Sequence, residues 1–447
     1  MVAPSLVAFL PPFLLILVAA ISPEPTVAAD SKPKPFPPPT PLRMRALLRH
    51  ERGSSSRGGN LVVTAAADGA SNGTAANPFT AHHFPQELDH FTFWRRPSGG
   101  KGATAAAGPM FVYTGNVGDI ELDGHIRVAI NDNWHRFYGN DSEYSTKTLG
   151  YLTSTKALAD YVILITSLKR NLSAEDTPVV VFGGSYGGML ASWFRLKYLH
   201  IAIGALASSA PILQFDYITP WSSFYDAVSQ DYKSESLNCF AVIKATWDVL
   251  DERGSSDKGL LELSKLFRAC KTVKYADSIG GWLETAFTYT AMVDYPAPAN
   301  FTENLPAYPV KEACTEMIMP MSTSNESMFP PSTFSYDDMS DACFQLNGVR
   351  PRPHWITTEY GGYRIDKVLK RFGSNIVFSN GMRDPWSRGG VLKNISSSIV
   401  ALVTEKGAHH LDLRSATKND PDWLVEQRRQ EVEIIQGWID QYHQDMA

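Results

Sequence analysis

Ser185 stands in a Gly-rich turn, Gly-Gly-Ser-Tyr-Gly over residues 183–187, which fits the pattern G-x-S-x-G. Residues 178–182, before the turn, are β-branched and aromatic and predict a buried strand. Residues 189–198, after it, favour a helix. Strand, sharp turn and helix in this order predict a nucleophile elbow that presents the serine hydroxyl at the carboxyl end of a parallel strand. The alternative is an ordinary Gly-rich turn with an incidental serine.

An acid and a histidine follow two further predicted strands. Strand patterns occur at residues 375–379 and 398–403. Asp384 comes just after the first of these strands. His409 and His410 lie in a Gly-led turn after the second. Taken singly, the aspartate could be a turn residue before proline and the histidines part of a surface loop. The periodicity does not choose between His409 and His410.

The order Ser185, Asp384, His409 along the chain is the order found in α/β-hydrolases. In that arrangement the serine is the nucleophile, the histidine is the general base and then the acid, and the aspartate orients the imidazole and stabilises its cation. The sequence therefore predicts acyl-transfer chemistry, with no cofactor and no metal.

The strand predicted over residues 109–114 is followed by a tight loop that contains Asn116 and Val117. In α/β-hydrolases such a loop gives one backbone N–H to the oxyanion hole, and the residue after the nucleophile, here Tyr186, gives the other. A helix over 152–171 and a strand over 203–209 continue the alternation, which predicts a doubly wound α/β sheet.

The chain of 447 residues is long enough for more than one structural unit. Helical patches dominate residues 211–345, which we interpret as a mostly helical cap inserted over the site; an irregular loop region is the alternative. The predicted organisation is a signal peptide (1–29), a Pro-rich and basic low-complexity segment (30–77), a first α/β-hydrolase core segment (78–210), the helical cap (211–345) and a second core segment (346–447).

The first 29 residues combine a short apolar run with small residues before a cleavage point after Ala29, which predicts a secretory signal peptide rather than a membrane anchor. A protein that enters the secretory pathway is delivered to a vacuole or lysosome, or is released from the cell. A net charge of −5 without a basic stripe argues against nucleic-acid binding. Six glycosylation sequons fit this route, at Asn72, Asn140, Asn171, Asn300, Asn325 and Asn394. Four cysteines lack zinc-type spacing and favour disulfides: Cys239, Cys270, Cys314 and Cys343.

Long motifs in this chain resemble the lysosomal Pro-X carboxypeptidases, whose sister group is dipeptidyl peptidase II, and specifically a plant member of that family. The motifs lie at residues 183–191, 205–213, 291–296, 350–353, 380–386 and 407–414. The resemblance covers most of residues 79–440 and implies an α/β-hydrolase with a helical cap.

The resemblance also implies roles for single residues. It makes His409 the triad histidine, with His410 beside it reaching toward Arg414. It further implies an apolar proline pocket lined by Met189, Met319 and Trp386, whose side chains can enclose a pyrrolidine ring without demanding hydrogen bonds.

The chain departs from the family pattern in several places. Val117 replaces a family glutamate, residues 120–133 are short, a strand between positions 94 and 109 is missing, and the cap is shortened between 309 and 314. Cys314 and Cys343 keep a mutual pairing, whereas Cys239 and Cys270 lack their usual family partners and would pair with each other or stay free.

Three functions stay open on this basis. The first is a serine exopeptidase that cleaves Pro-X bonds at peptide C termini, with peptides that have a penultimate proline as its partners. The second is a dipeptidyl peptidase-like or other serine hydrolase, and the third is a catalytically impaired family member. A conventional serine carboxypeptidase is disfavoured because that family usually has Glu where Gly184 stands. A homodimer stays open.

Overall fold

The computed structural model describes residues 108–115, 150, 152–296, 317–414 and 416–447. Five parallel strands form one sheet in the order β1-β2-β3-β4-β5. The strands are β1 Met110–Tyr113, β2 Val179–Gly184, β3 Gly204–Ser208, β4 Ile376–Gly381 and β5 Ile399–Thr404. All five coincide with strands predicted from the sequence, because each is an apolar run bounded by turn residues.

Helices connect and flank the strands. They are α1 Ser154–Asn171, α2 Ser185–Lys197, α3 Ser223–Glu235, α4 Leu237–Gly254, α5 Asp257–Leu266, α6 Asp277–Met292, α7 Tyr336–Asn347, α8 Trp355–Tyr360, α9 Ile365–Phe372 and α10 Asp422–Met446. Short 3₁₀ helices span Gly362–Arg364, Pro385–Gly389 and Leu411–Leu413.

Helices cover both faces of the sheet. Trp193 and Phe194 of α2 pack in one buried cluster with Ala205 of β3. Trp438 of α10 lies against Gly204, the neighbouring residue of the same strand. Neighbouring strand residues point to opposite faces, so α2 and α10 lie on opposite sides of the sheet. The prediction of a doubly wound α/β-hydrolase sheet is confirmed.

Residues 211–296 and 317–345 contain helices α3 to α6, most of α7 and no strand. A second hydrophobic cluster fills this helical segment, with Phe224, Ile243, Trp247 and Phe287 among its buried members. The helical character predicted for 211–345 is therefore present in its described residues. The division of the chain into a core and a cap stays a prediction.

Several predicted features lie outside the described residues: the signal peptide, the segment 30–77, the oxyanion-loop residues Asn116 and Val117, the missing strand, Cys314, and the sequons at Asn72, Asn140 and Asn300. Within the described ranges, no helix is long and apolar enough to cross a membrane.

Three of the four cysteines fall in the described portion of the chain. Cys343 is disulfide-bonded and buried. Cys239 and Cys270 are free thiols, which settles the alternative left open for them. The pairing of Cys314 with Cys343 stays a prediction.

Candidate active site

Ser185 lies at the junction of β2 and α2, where its backbone has a φ of 55°. A positive φ is strained for serine and is characteristic of a nucleophile elbow. The turn closes only because its neighbours are small: a Cβ on Gly187 would lie 1.9 Å from the carbonyl oxygen of Gly115. The amide of Gly184 donates to that same oxygen across 3.0 Å, which holds the end of β1 against the elbow.

Thr114, directly after β1, is hydrogen-bonded to the first turn of α2. Its hydroxyl donates to the carbonyl oxygen of Gly187 across 2.7 Å, so the strand that leads into the predicted loop is fixed to the first turn of α2. Tyr186, whose N–H is the other predicted donor, is in that same turn and is half-buried. The sequence patterns did not single out Thr114.

Asp384 and His409 form a buried pair. Nδ1 of His409 lies 2.8 Å from Oδ2 of Asp384, and both side chains are fully excluded from solvent. The amide of Trp386 donates to the other carboxylate oxygen, Oδ1, across 3.1 Å and fixes its orientation. Nε2 of His409 has no hydrogen-bond partner among the described residues. That nitrogen is therefore the one that could exchange a proton with a reacting group.

His410 packs beside the elbow. Its backbone has a φ of 36°, and its amide donates to the hydroxyl of Ser209 across 2.7 Å. Its ring lies against β2, where a Cβ on Gly184 would be 3.0 Å from Cγ of the imidazole. Burial lowers the pKa of His410 well below 6.5, and the charges of His409 and Arg414 act in the same direction. His410 is consequently a neutral packing neighbour of the pair.

The last residue of α6 and the residues after it clamp the histidine turn. The amide of His409 donates to the carbonyl oxygen of Met292 across 3.1 Å, and the hydroxyl of Tyr295 donates to the carbonyl oxygen of His409 across 2.9 Å. The guanidinium of Arg414 lies 5.3 Å from the centre of the Tyr295 ring. In the sequence this stretch was visible only as a family motif, because no local pattern reveals a contact between distant segments.

The turn that carries Asp384 is held to the same segment by ion pairs. Arg383 pairs with Asp294 and, across 3.1 Å, with Glu235 of α3. Hydrogen bonding to Asp294 raises the pKa of Arg383, so its positive charge is secure. The two turns that carry the acid and the histidine are thus both attached to the helical segment.

Asp231 of α3 lies close to this network. Burial raises its pKa from 3.8 to about 7; the nearby charge of Asp294 adds to the effect, and Arg383 and Arg388 oppose it. Its Oδ2 has no hydrogen-bond partner within the described ranges. The carboxyl group therefore changes its charge near neutral pH.

The three predicted pocket residues divide between two clusters. Met189 is fully buried in the cluster of the sheet, and Met319 packs against that cluster. Trp386 packs against the cluster of the helical segment, with its ring 4.6 Å from that of Phe224. The proline pocket stays a prediction.

No group of three potential metal ligands is present among the residues that the structure describes. The sequons at Asn171, Asn325 and Asn394 are all exposed. Exposure leaves all three accessible to a glycosylating enzyme.

Comparisons with known proteins identify the family of the chain. The model of the family described as serine carboxypeptidase S28 matches residues 125–348 and 312–431. Lysosomal Pro-X carboxypeptidase of Pongo abelii is 34% identical over 450 aligned positions, which cover 82% of this chain and 90% of that protein. The protein of the same name from Homo sapiens gives the same identity and coverage.

The structure is also similar to solved proteins. Proline iminopeptidase of Mycobacterium smegmatis matches with a TM-score of 0.35 and 11% identity, over 76% of this chain and 91% of that one.

The alignments also bear on chain length. With only 82% of a 447-residue chain aligned over 450 positions, the relatives contain residues that have no counterpart here. This agrees with the shortened segments inferred from the motifs. The chain belongs to the serine carboxypeptidase S28 family and is a serine-type peptidase.

Proposed function

We propose that this peptidase hydrolyses the Pro-X bond at the C terminus of peptides, with Ser185, His409 and Asp384 as its catalytic triad. The observation that carries the proposal is the 2.8 Å contact between His409 and Asp384, buried in full. In this contact His409 uses Nδ1, and Nε2 of the same ring has no hydrogen-bond partner among the residues described. The strained backbone of Ser185 supports its role as the nucleophile.

The reaction follows from these roles. Nε2 of His409 takes the proton of the Ser185 hydroxyl while the oxygen attacks the prolyl carbonyl carbon. The proton then passes to the nitrogen of the leaving residue, the C–N bond breaks, and a prolyl ester of Ser185 remains. A water molecule, deprotonated by the same nitrogen, attacks the ester carbon. The bond from that carbon to the Ser185 oxygen breaks, His409 returns the proton to that oxygen, and the peptide acid leaves. Asp384 remains ionised and stabilises the imidazolium in both halves.

The negative charge that develops on the carbonyl oxygen needs hydrogen-bond donors. We assign the N–H of Tyr186 and an N–H from the loop at Asn116 and Val117 to this role. The position of Tyr186 in the first turn of α2 and the bond from Thr114 to Gly187 support it. Such donors contribute about 3–4 kcal/mol each to transition-state stabilisation in serine peptidases.

The preference for proline rests on an apolar pocket formed by Met189, Met319 and Trp386. The names of the relatives, lysosomal Pro-X carboxypeptidases, support this specificity. Enclosing the pyrrolidine ring contributes about 1–3 kcal/mol of discrimination against a smaller residue.

We place the enzyme in the secretory pathway, with a vacuole, a lysosome or the cell exterior as its destination. The predicted signal peptide, the exposed sequons at Asn171, Asn325 and Asn394, and the lysosomal relatives support this location.

The test uses purified, glycosylated full-length protein, a fluorophosphonate probe and two peptides. One peptide is blocked at its N terminus and ends in Pro-X; the other has a free N terminus, penultimate proline and a blocked C terminus. We expect the probe to label the wild-type protein, and the wild-type protein to cleave the first peptide and not the second. In Ser185→Ala we expect no labelling, and a rate of peptide cleavage lower by a factor on the order of a million.

Other outcomes separate the alternatives. Cleavage of the second peptide alone would establish a dipeptidyl peptidase-like activity. A folded wild-type protein that the probe does not label would establish a catalytically impaired family member, for which the missing segments give a structural reason. Labelling that persists in Ser185→Ala would refute the assignment of the nucleophile.

A further inference from the structure

Two carboxyl groups lie buried near the carboxyl ends of β3 and β4, close to the histidine turn. Asp412 is three positions after His409, in the 3₁₀ helix Leu411–Leu413, and Glu431 is on α10. Their exposed fractions are only 8% and 4%. The roles assigned to Ser185, His409 and Asp384 use neither of them.

Hydrogen bonds connect both carboxyl groups to the ends of the central strands. The hydroxyl of Ser208, the last residue of β3, donates to Oδ1 of Asp412 across 2.5 Å. Gln427 of α10 donates to the hydroxyl of Ser379 in β4 across 2.5 Å and to Oε1 of Glu431 across 3.3 Å. Hydrogen bonding to Ser379 lowers the pKa of either carboxyl.

Burial dominates the titration of both groups. It raises the pKa of Asp412, and it raises the pKa of Glu431 well above 4.5. The charge of Asp412 and a hydrogen bond that protonated Glu431 donates to Asp412 act in the same direction on Glu431. Two adjacent carboxyl groups in a buried site cannot both ionise without strong repulsion, so one of them keeps a proton.

The surrounding charges do not neutralise a second anion. Arg428 is the cation next to the pair, and it pairs with Asp420. It also donates to the backbone carbonyl oxygens of the turn, through Nε to Asp412 and through Nη2 to Leu411 and Arg414. The neighbouring ring of His410 is neutral because it is buried. The polar groups that act on the pair are Ser208 from β3, Ser379 from β4, and Gln427 and Arg428 from α10.

The pair is mechanically connected to the candidate base. Arg428 attaches the turn Leu411–Leu413 to α10, and Asp412 attaches it to β3. The amide of His410 donates to Ser209, which directly follows Ser208. A displacement of Asp412 therefore moves the segment that carries the imidazole of His409.

We propose that Asp412 and Glu431 share one proton and act as a positioning pair, which holds the His409 turn in its catalytic place in acid and releases it when the proton is lost. The inference rests on the proposed role of His409 and adds an upper pH limit to it. The protonated pair is bridged and carries one charge; the deprotonated pair carries two charges that repel. An enzyme built in this way suits an acidic compartment.

The sign of the effect follows from the raised pKa of Glu431. In the unfolded chain this carboxyl ionises at its ordinary value, about 4.3. The folded state favours the protonated form, so stability decreases as pH rises above that value, and the decrease is complete above the raised pKa. Replacing Glu431 by glutamine, which is neutral at every pH and can still donate to Asp412, removes this dependence.

The experiment compares wild type, Glu431→Gln and the control Glu433→Gln. Glu433 is on the same helix, is 61% exposed and pairs with Arg429. Two quantities are measured from pH 4 to pH 9: the second-order rate of fluorophosphonate inactivation, and Tm. We expect wild type and the control to lose inactivation rate on the alkaline side, and Glu431→Gln to retain it, with a rate about tenfold above wild type at pH 8 or higher. The Tm of Glu431→Gln should match wild type near pH 4 and exceed it at pH 8.

A second variant, Asp412→Asn, leaves a single carboxyl in the site and should also remove the alkaline loss. The proposal is overturned if Glu431→Gln has the same alkaline limb as wild type, or if it does not fold at pH 5, where an already protonated carboxyl should tolerate the amide. A gain in Tm without any change in the inactivation profile would leave the pair a structural element only and would also overturn the positioning role. Failure of the proposed function would give a different result, because the wild-type protein would then not be inactivated at any pH. The Tm comparison would still test whether the pair shares a proton.

Discussion

The backbone amide of His409 donates a hydrogen bond to the carbonyl oxygen of Met292, across 3.1 Å. His409 belongs to the turn after β5, whereas Met292 is the last residue of α6 in the helical segment. The position of the candidate base therefore depends on the helical segment as well as on the sheet. Any shift of α6 is transmitted to the imidazole through this bond and through Tyr295.

Tyr295→Phe tests this dependence. The variant keeps the ring beside Arg414 and removes the hydroxyl, which donates to the carbonyl oxygen of His409 across 2.9 Å and is also hydrogen-bonded to Arg414. A hydrogen bond of this kind contributes about 0.5–1.5 kcal/mol, so we expect the rate of probe labelling to fall by about two- to tenfold. Tyr289→Phe, on α6, is the matched control and should label at the wild-type rate. Equal labelling rates in the two variants would show that the Tyr295 hydroxyl does not position His409.

His409→Ala and His410→Ala distinguish the two adjacent histidines. Only His409 contacts Asp384, and burial keeps His410 neutral. We expect His409→Ala to lose labelling to the extent seen on removing a triad histidine, on the order of a million-fold. His410→Ala should retain measurable turnover, with a lower Tm because a buried ring is removed. If both variants lose activity equally, the geometry alone does not identify the base.

Gly184→Ala probes the packing of His410 against β2. The added Cβ would lie 3.0 Å from the imidazole Cγ, so the ring must move or the strand must yield. We expect a loss of about 1–3 kcal/mol in the free energy of unfolding, as for other overpacked sites. In a His410→Ala background the same substitution should cost much less. A double-mutant cycle measured by denaturant unfolding gives this coupling, and additive effects would contradict the contact.

The sequence predicts the local features of this molecule well. The elbow at Ser185 and all five strands follow from short-range patterns of apolar, β-branched and glycine residues. The Asp384–His409 contact follows because acids and histidines after parallel strands meet at one edge of the sheet.

Other features could not be read from the sequence, because they join distant segments. The bond from His409 to Met292 and the Asp412–Glu431 pair depend on how the helical segment and α10 pack, which no local periodicity encodes. The proline pocket was inferred from resemblance, and its three residues pack in two different clusters.

Asp231→Asn tests the titratable carboxyl on α3. Burial raises the pKa of Asp231 from 3.8 to about 7, so the folded state favours its protonated form. The stability that this preference supplies is present below pH 3.8 and is lost as pH rises through about 7. Asparagine has the same shape and no charge. We therefore expect Asp231→Asn to unfold at the wild-type Tm near pH 4 and at a higher Tm near pH 8. Asp248→Asn, an exposed position on α4, is the control and should follow wild type at both values. A Tm difference between Asp231→Asn and wild type that is the same at pH 4 and pH 8 would show that the carboxyl does not titrate in this range.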